Sequence, residues 1–135
     1  MCMMLYGGVN KEVNMEDMKL LNTSNYTFLP TTKGLIRKSV EDCEVGYRIT
    51  SEHCDCGTAI GENKVNAAKV IELADSIRSF QKVRDIKAAY LLKNWWGEKI
   101  KRSECVHIND IKLKKFLADI KQSCLYEIQL FRKYY

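Results

Sequence analysis

The chain has 135 residues, of which 46% are hydrophobic and 29% are charged, so it can bury the core of one domain but is too short for two ordinary ones. The longest uncharged runs, residues 1–10 and 20–32, contain polar or breaker residues and do not reach the roughly 20 apolar residues that cross a bilayer. These features exclude a membrane span, a coiled-coil rod and a tandem repeat protein, and we expect a single domain over residues 1–135.

The net charge of +5 is divided unevenly along the chain. Residues 1–63 hold 6 Lys/Arg and 9 Asp/Glu, a balance of −3, whereas residues 64–135 hold 16 and 8, a balance of +8. The positive charge of residues 64–135 predicts that this half of the chain is attracted to nucleic acid or to an acidic protein surface. Since its lysines are scattered rather than massed, a solvated surface is the simpler interpretation.

The pattern of the first half predicts strands with little helix. Residues 1–9 are apolar and favour a short buried strand, and residues 11–32 favour no more than a helical turn or two, broken at 22–25. Residues 35–40 and 45–50 are predicted to form a hairpin around an acidic turn.

The second half changes to a helical period. A first amphipathic helix is predicted at about 63–80, with an apolar face of Ala67, Val70, Ile71, Ala74, Ile77 and Phe80. Residues 86–95 are apolar at both parities, which favours a strand buried on both faces, although a helix competes with this interpretation.

After Gly97, Asn109 or Asp110 is predicted to cap a second helix, and Cys124 continues the apolar stripe of that helix as a core residue. Residues 125–133 alternate and predict a final strand. The expected fold is α+β, with a single mixed or antiparallel sheet of about five strands and two main helices packed on it.

The chain begins without a Lys/Arg-led apolar segment, so no secretory signal is expected and the predicted location is cytoplasmic. In a reducing cytosol, cysteines remain thiols or metal ligands rather than disulfides. There are six: Cys2, Cys43, Cys54, Cys56, Cys105 and Cys124.

The loop after the strand predicted at 45–50 carries the most specific pattern in the chain. Cys54 and Cys56 stand two positions apart beside His53, and Gly57 permits the backbone to fold around a common ion. Zinc takes four N or S ligands in a tetrahedron. We therefore predict a structural Zn²⁺ held by Cys2, His53, Cys54 and Cys56.

Other ligand sets and other uses of the thiols remain open from the residues alone. Cys43 is an alternative ligand, and the close pair of Cys105 and His107 could complete a site with Cys54 and Cys56. The thiols could instead pack as small hydrophobes or serve in redox or nucleophilic chemistry.

The Met-Cys start together with the His-Cys-Asp-Cys-Gly loop resembles a group of small uncharacterised bacterial or phage proteins. That group begins Met-Cys, carries a C-x-C-G loop and continues with a helix, a strand containing Trp and Gly-Glu, a helix and a strand, an order that residues 89–98 and 110–133 match here. The resemblance implies that Cys2 lies near Cys54 and Cys56, and it implies no activity. This chain lacks the run of glycines that flanks the cysteines in the group.

The sequence offers little for catalysis. It contains no P-loop, no G-x-G-x-x-G, no H-E-x-x-H and no G-x-S-x-G pattern. Trp95 and Trp96 stand among lysines and Arg102, a mixture that serves single-stranded nucleic acid or anchors a protein interface.

The leading hypothesis is therefore a small zinc-stabilised, non-catalytic binding protein that acts through protein–protein contact. One concrete version is a phage-encoded inhibitor of a bacterial defence system, such as a CRISPR effector. The alternatives are a nucleic-acid-binding module that uses the basic half and a thiol- or metal-dependent enzyme.

Overall fold

Six strands in the described part of the chain form one mixed sheet. The structure, a computed structural model, describes residues 3–31, 36, 39–50, 67–95, 98–108 and 110–129. The described strands are β1 (Met3–Val9), β2 (Thr27–Thr31), β3 (Val45–Thr50), β4 (Ala88–Trp95), β5 (Arg102–His107) and β6 (Cys124–Gln129). The described helices are α1 (Met15–Met18), which continues into a 3₁₀ turn at Lys19–Leu21, α2 (Ala67–Arg84) and α3 (Asp110–Ala118).

The strands lie in the order β2-β3-β1-β4-β6-β5. The β5/β6 pair is parallel, and the other neighbouring pairs are antiparallel. The predicted α+β class is thus confirmed, and of the two predicted sheet types, mixed or antiparallel, the sheet is mixed, with six strands in the described chain instead of about five. No described helix is long and apolar enough to span a membrane.

Helices α2 and α3 cover one face of the sheet, which we call the helix face. Val70, Leu73, Ile77 and Phe80 of α2 are buried there together with Leu113 and Leu117 of α3. Ile71 was predicted in this stripe, but it is 42% exposed, and Leu73 occupies the inward position instead. A helix repeats every 3.6 residues, so a residue one step from the stripe's centre turns outward.

The opposite face, which we call the second face, carries a smaller apolar cluster. Ala88, Tyr90 and Leu92 of β4 and Leu125 of β6 are buried there beneath Ile36 and Cys43. Apolar residues of β4 point alternately to the helix face and the second face, and both faces are covered. This strand is therefore buried along nearly its whole length, as predicted.

The predicted hairpin of residues 35–40 and 45–50 is wrong. Ile36 and Ser39 are helical, and the Val40 N–H donates to the Ile36 carbonyl at 2.8 Å. Ile36 and Val40 both pack on the second face, since a four-residue spacing places two side chains on one side of a helical turn. The strand predicted at 45–50 is confirmed as β3, but its partners are β1 and β2.

The two strands at the ends of the sheet were not predicted, because most of their side chains are exposed and give no apolar alternation. Pro30 fits the edge strand β2, since proline has no N–H to donate to a ladder. The remaining predictions are confirmed with shifted bounds: β1, β4, β6, α2 and α3. Residues 63–66 and 130–133 of the predicted elements lie outside the described chain. Cys124 is fully buried as predicted, but it opens β6 and does not continue α3.

Gly8 allows the chain before β3 to approach β1. A Cβ at Gly8 would lie 2.7 Å from the Cys43 sulfur, which would have to move, and 3.0 Å from the Val45 carbonyl oxygen, which is tighter than an ordinary contact. This close approach explains why a glycine occupies a central strand despite its entropic cost.

Candidate functional site

The residues predicted to hold zinc, Cys2, His53, Cys54 and Cys56, lie outside the described residues. Of the alternatives, Cys43 is a buried core side chain whose thiol donates to the Val45 carbonyl oxygen at 3.4 Å. Cys105 and His107 are described, and they lie together on β5 at the end of the sheet.

Three side chains form a row across the second face, one from each of the strands β4, β6 and β5. Tyr90 lies opposite Glu127 in the antiparallel ladder, and Glu127 lies opposite Cys105 in the parallel ladder. Because residues in register on one face are neighbours, the row runs from the buried centre of the sheet to its exposed edge.

Glu127 is held by hydrogen bonds within this row. Its Oε2 accepts from the Cys105 thiol at 3.1 Å and from the Gln129 amide at 2.8 Å. The Cys105 sulfur also lies 3.9 Å from Nε2 of His107. The hydrogen bond from Cys105 is the main reason that the pKa of Glu127 is lowered, although partial burial opposes it.

The same contact raises the pKa of Cys105. The hydrogen bond to Glu127 comes first among the causes, followed by desolvation and the carboxylate charge. A thiol becomes a strong nucleophile as the thiolate, so the described arrangement favours the unreactive protonated form. The Cys105–His107 pair therefore does not have the electrostatics of an activated nucleophile.

Tyr90 is the buried end of the row, with 2% of its surface exposed. Its hydroxyl is buried beside the Glu127 carboxylate, toward which it donates. Burial, followed by the charge of Glu127 and the hydrogen bond to it, raises the pKa of Tyr90, so it remains a neutral hydroxyl.

A cleft of about 320 Å³ opens over this row, and we call it the edge cleft. Its polar wall includes Tyr90 and Glu127, and its apolar wall is formed by Val40, Ile100 and Leu125. Ser103, Glu104 and Cys105 lie at its β5 side, where the register of Glu104 with Tyr126 directs the Glu104 side chain to the helix face. The cleft thus joins one carboxylate, a buried hydroxyl and aliphatic surface.

The backbone of β5 presents hydrogen-bonding groups away from the sheet. Arg102 donates its N–H to the Ser123 carbonyl oxygen at 3.2 Å, which directs residue 102 toward β6. In a parallel ladder this direction alternates, so Glu104 and Val106 also bond to β6, whereas Ser103, Cys105 and His107 direct N–H and C=O outward. No described strand pairs with that outer side.

Within the part of the chain that the structure describes, no group of three or more His, Cys, Asp or Glu side chains is arranged to hold a metal. The prediction that Cys105 and His107 complete a site with Cys54 and Cys56 stays a prediction, because Cys54 and Cys56 lie outside this part.

Of the cations predicted to accompany the tryptophans, Lys99, Lys101 and Arg102 are exposed, whereas Lys93 is only 5% exposed. Lys93 lies on the helix side of the central strand β4, in register with Leu5, which accounts for its burial. Trp95 is half-buried at the end of β4, and Trp96 lies outside the described residues.

The sequence did not single out Glu127 or Tyr90 as site residues. The alternation of residues 125–133 places Glu127 on the face opposite Tyr126, which is the one available signal. Comparisons with protein families, with curated proteins and with solved structures found no match.

Proposed function

We propose that this protein is a non-catalytic binding protein that acts through contact with another protein, and that the partner adds an extended segment to the outer side of β5. The observation that supports this is the exposed edge itself. Five of the six β5 side chains are exposed, and alternate residues direct their backbone groups away from the sheet. A sheet edge of this kind receives an extended peptide as an additional strand.

The two ends of the sheet are not equivalent for this purpose. At the β2 end, Pro30 interrupts the series of backbone donors within a five-residue strand. At the β5 end, the six residues 102–107 include no proline. The ladder available for pairing is therefore longer and more regular at β5.

The electrostatics of Cys105 argue against the thiol-enzyme alternative at this site. A carboxylate that accepts the thiol proton's hydrogen bond stabilises the neutral thiol, which is the opposite of what nucleophilic catalysis requires. The row is better suited to holding a ligand than to attacking one.

Strand addition can be tested with two substitutions at one residue. A library of random linear dodecapeptides is selected against the immobilised full chain, and dissociation constants are measured for the enriched peptides. Ser103→Pro removes an outward N–H while sparing the bonds of β5 to β6, so we expect it to weaken binding at least about tenfold.

Ser103→Ala is the matched control, because it removes the hydroxyl and keeps the N–H. We expect its affinity to stay within about twofold of the original chain. Equal binding of the enriched peptides by the original and the Ser103→Pro chains, with both folded by circular dichroism, would contradict strand addition at β5.

A nucleic-acid-binding module is the second candidate, and one observation favours it. Exposed basic side chains gather on neighbouring segments at the beginning of β5: Lys99, Lys101, Arg102 and Lys121. Phosphate contacts of this kind release counterions, so binding would fall steeply with salt. Fluorescence anisotropy with a labelled single strand between 50 and 200 mM salt, roughly the range over which such contacts lose most affinity, tests this candidate.

Two finer parts of the proposal come from the sequence. We propose that Cys2, His53, Cys54 and Cys56 hold a structural Zn²⁺ that stabilises the binding protein. That the partner is a bacterial defence nuclease such as a CRISPR effector stays a sequence-based prediction.

A further inference from the structure

The β5 edge carries two charges of opposite sign beside its outward backbone groups. Arg102 and Glu104 are in register with Cys124 and Tyr126, which belong to the core under the helices, so both charged side chains project on the helix face. Both are exposed, and no ion pair within the described ranges engages either of them. The edge therefore offers a positive and a negative charge two positions apart.

The order of these charges is self-complementary under a two-fold axis. Two copies of the chain related by such an axis place their β5 strands antiparallel. The outward residues then form the hydrogen-bonded pairs, whereas residues that bond to β6, Arg102 and Glu104 among them, form the other pairs, whose side chains lie closest together. An axis at Ser103 places Arg102 of each copy directly opposite Glu104 of the other.

The neighbouring registers do not match these charges. An axis at Glu104 brings the two Glu104 carboxylates opposite each other, and an axis at Cys105 places Glu104 opposite Val106. Opposite charges that face each other across two strands stabilise the pair, and like charges destabilise it. Among axes at residues 103, 104 and 105, the charges of β5 therefore select the axis at Ser103.

We propose that, without a partner segment, two copies of this chain form an antiparallel β5–β5 dimer with its two-fold axis at Ser103. This inference rests on the proposed function, because both use the outward backbone groups of β5 and a partner segment must displace the second copy. At the axis the two Ser103 residues exchange N–H to C=O hydrogen bonds, and an Arg102–Glu104 ion pair lies on each side. A two-fold contact uses the same edge of both copies, so it closes after two chains and covers an edge that would otherwise recruit more.

The contact is small, so the dimer should be weak. Exposed ion pairs contribute little each, and the shared ladder is only a few residues long. We expect the mass measured by sedimentation equilibrium to rise from monomer toward dimer between about 10 µM and 1 mM. A chain that stays monomeric over this range would contradict the proposal. A dimer this weak opens continually, so the outward amides of β5 stay far less protected than the inward ones.

Two charge reversals in the full chain test the register. In a homodimer, Arg102→Glu places carboxylates opposite each other and Glu104→Arg places guanidinium groups opposite each other, so each should weaken the dimer at least about fivefold. In an equimolar mixture, each variant again meets the opposite charge at both positions of the other. We therefore expect the heterodimer to exceed both homodimers, and native mass spectrometry distinguishes the three species because the two variants differ in mass.

Lys115→Glu and Glu12→Arg are the matched controls, since they change the net charge equally at exposed residues outside β5. They should leave the dissociation constant of the dimer within about twofold at physiological salt. Repulsion between whole chains predicts a different order, because Arg102→Glu lowers the net charge of +5 and would strengthen its own homodimer. A mixture without a preferred heterodimer, with both variants folded by circular dichroism, would overturn the proposal.

The Ser103 variants extend the test to the backbone and do not depend on the charged side chains. Ser103→Pro removes the donors at the axis, so this chain should stay monomeric, whereas Ser103→Ala should dimerise like the original chain. The enriched dodecapeptides should convert the dimer of the original chain to a complex of one chain with one peptide. Peptides that bind while the dimer stays intact would contradict a shared edge.

The two proposals fail differently. If the mixture shows no preferred heterodimer but Ser103→Pro weakens peptide binding, the β5–β5 dimer is wrong and strand addition by a partner stands. If the heterodimer forms as expected but Ser103→Pro leaves peptide binding unchanged, the edge pairs copies of this chain and the partner segment at β5 is wrong.

Discussion

The Glu127 side chain connects the interior of the sheet to its edge. It lies between Tyr90 and Cys105, and it takes its orientation from two hydrogen bonds to one oxygen. Cys105 and Gln129 bond to the same carboxylate, so a substitution at either residue alters how the Glu127 charge acts on the other.

The reactivity of Cys105 reports on this carboxylate. Because Glu127 raises the pKa of the thiol, we expect slow alkylation by iodoacetamide at pH 8, and Glu127→Gln should accelerate it by about two- to tenfold. Peptide mass spectrometry at Cys105 measures the rate. An unchanged rate in Glu127→Gln would show that the carboxylate does not control the thiol.

Zinc content tests the cysteine loop. We expect about one zinc ion per chain by elemental analysis, and its loss together with a lower melting temperature in Cys54→Ser or Cys56→Ser. Cys105→Ser is the matched control that should retain the ion, since Cys105 is engaged with Glu127. Metal-free protein with an undiminished melting temperature would rule the prediction out.

Glu72 shows how one carboxylate fastens a loop to a helix. It accepts hydrogen bonds from the hydroxyls of Thr23 and Ser24 at 2.8 and 2.9 Å and from the Asn25 amide at 3.3 Å. Partial burial raises the pKa of Glu72, but these hydrogen bonds outweigh it and leave the pKa below its ordinary value.

Glu72→Ala should lower the free energy of unfolding by about 1 kcal/mol at pH 7, a figure discounted because the group is partly exposed. A lowered pKa means that the contribution is present above the unfolded value of about 4.3 and is lost as pH falls through the folded value. Urea unfolding at pH 7 and pH 3 checks this, with the exposed Glu12→Ala as control. A difference that persists at pH 3 would contradict the ionic origin.

At the scale of elements, an apolar stripe on one side of α2 packs on the sheet, and the opposite side of the helix is exposed. Leu73 is fully buried, whereas Ile71, two positions earlier, is 42% exposed. The two residues have nearly equal side-chain volume, so they separate the effect of burial from that of side-chain size.

Leu73→Ala should lower the free energy of unfolding by about 2–5 kcal/mol, and Ile71→Ala by less than about 1 kcal/mol. Chemical denaturation of both variants gives the comparison. Similar losses in the two would mean that the inward face of α2 is not the one described.

The positions of the edge strands β2 and β5 are not determined by an apolar stripe of this kind. The described strands β2 and β5 each pair on one side only, and most of their side chains are exposed. Their place in the sheet is determined by pairing with β3 and β6, and local pattern contributes little.

At the scale of the whole molecule, the strand order sets which amides are protected. In the described sheet, β1 and β4 pair on both sides, so their amides should exchange only when the domain unfolds. The outward amides of Ser103 and Cys105 should exchange at least about 100-fold faster than those of Glu104 and Val106. Hydrogen exchange followed by NMR measures these rates, and uniform protection along β5 would contradict the assigned register.

Apolar runs and periodicity in the sequence by themselves indicated β1, β3, β4, β6, α2 and α3, although a helix competed with the strand interpretation of β4. The sequence also identified Cys105 and His107 as a close pair from their spacing alone. It misassigned residues 35–40 because a short apolar run satisfies a strand and a helical turn equally.

Only the tertiary structure decided the two sheet edges and the parallel pairing of β5 with β6. That pairing brings Glu127 to Cys105 and, through β4, to Tyr90, residues that are 22 and 37 positions away from Glu127 in the chain. Cross-strand register depends on which strands pair and how each connection returns, and no local pattern encodes it. The edge cleft exists because of that register, so it could not be predicted from the sequence.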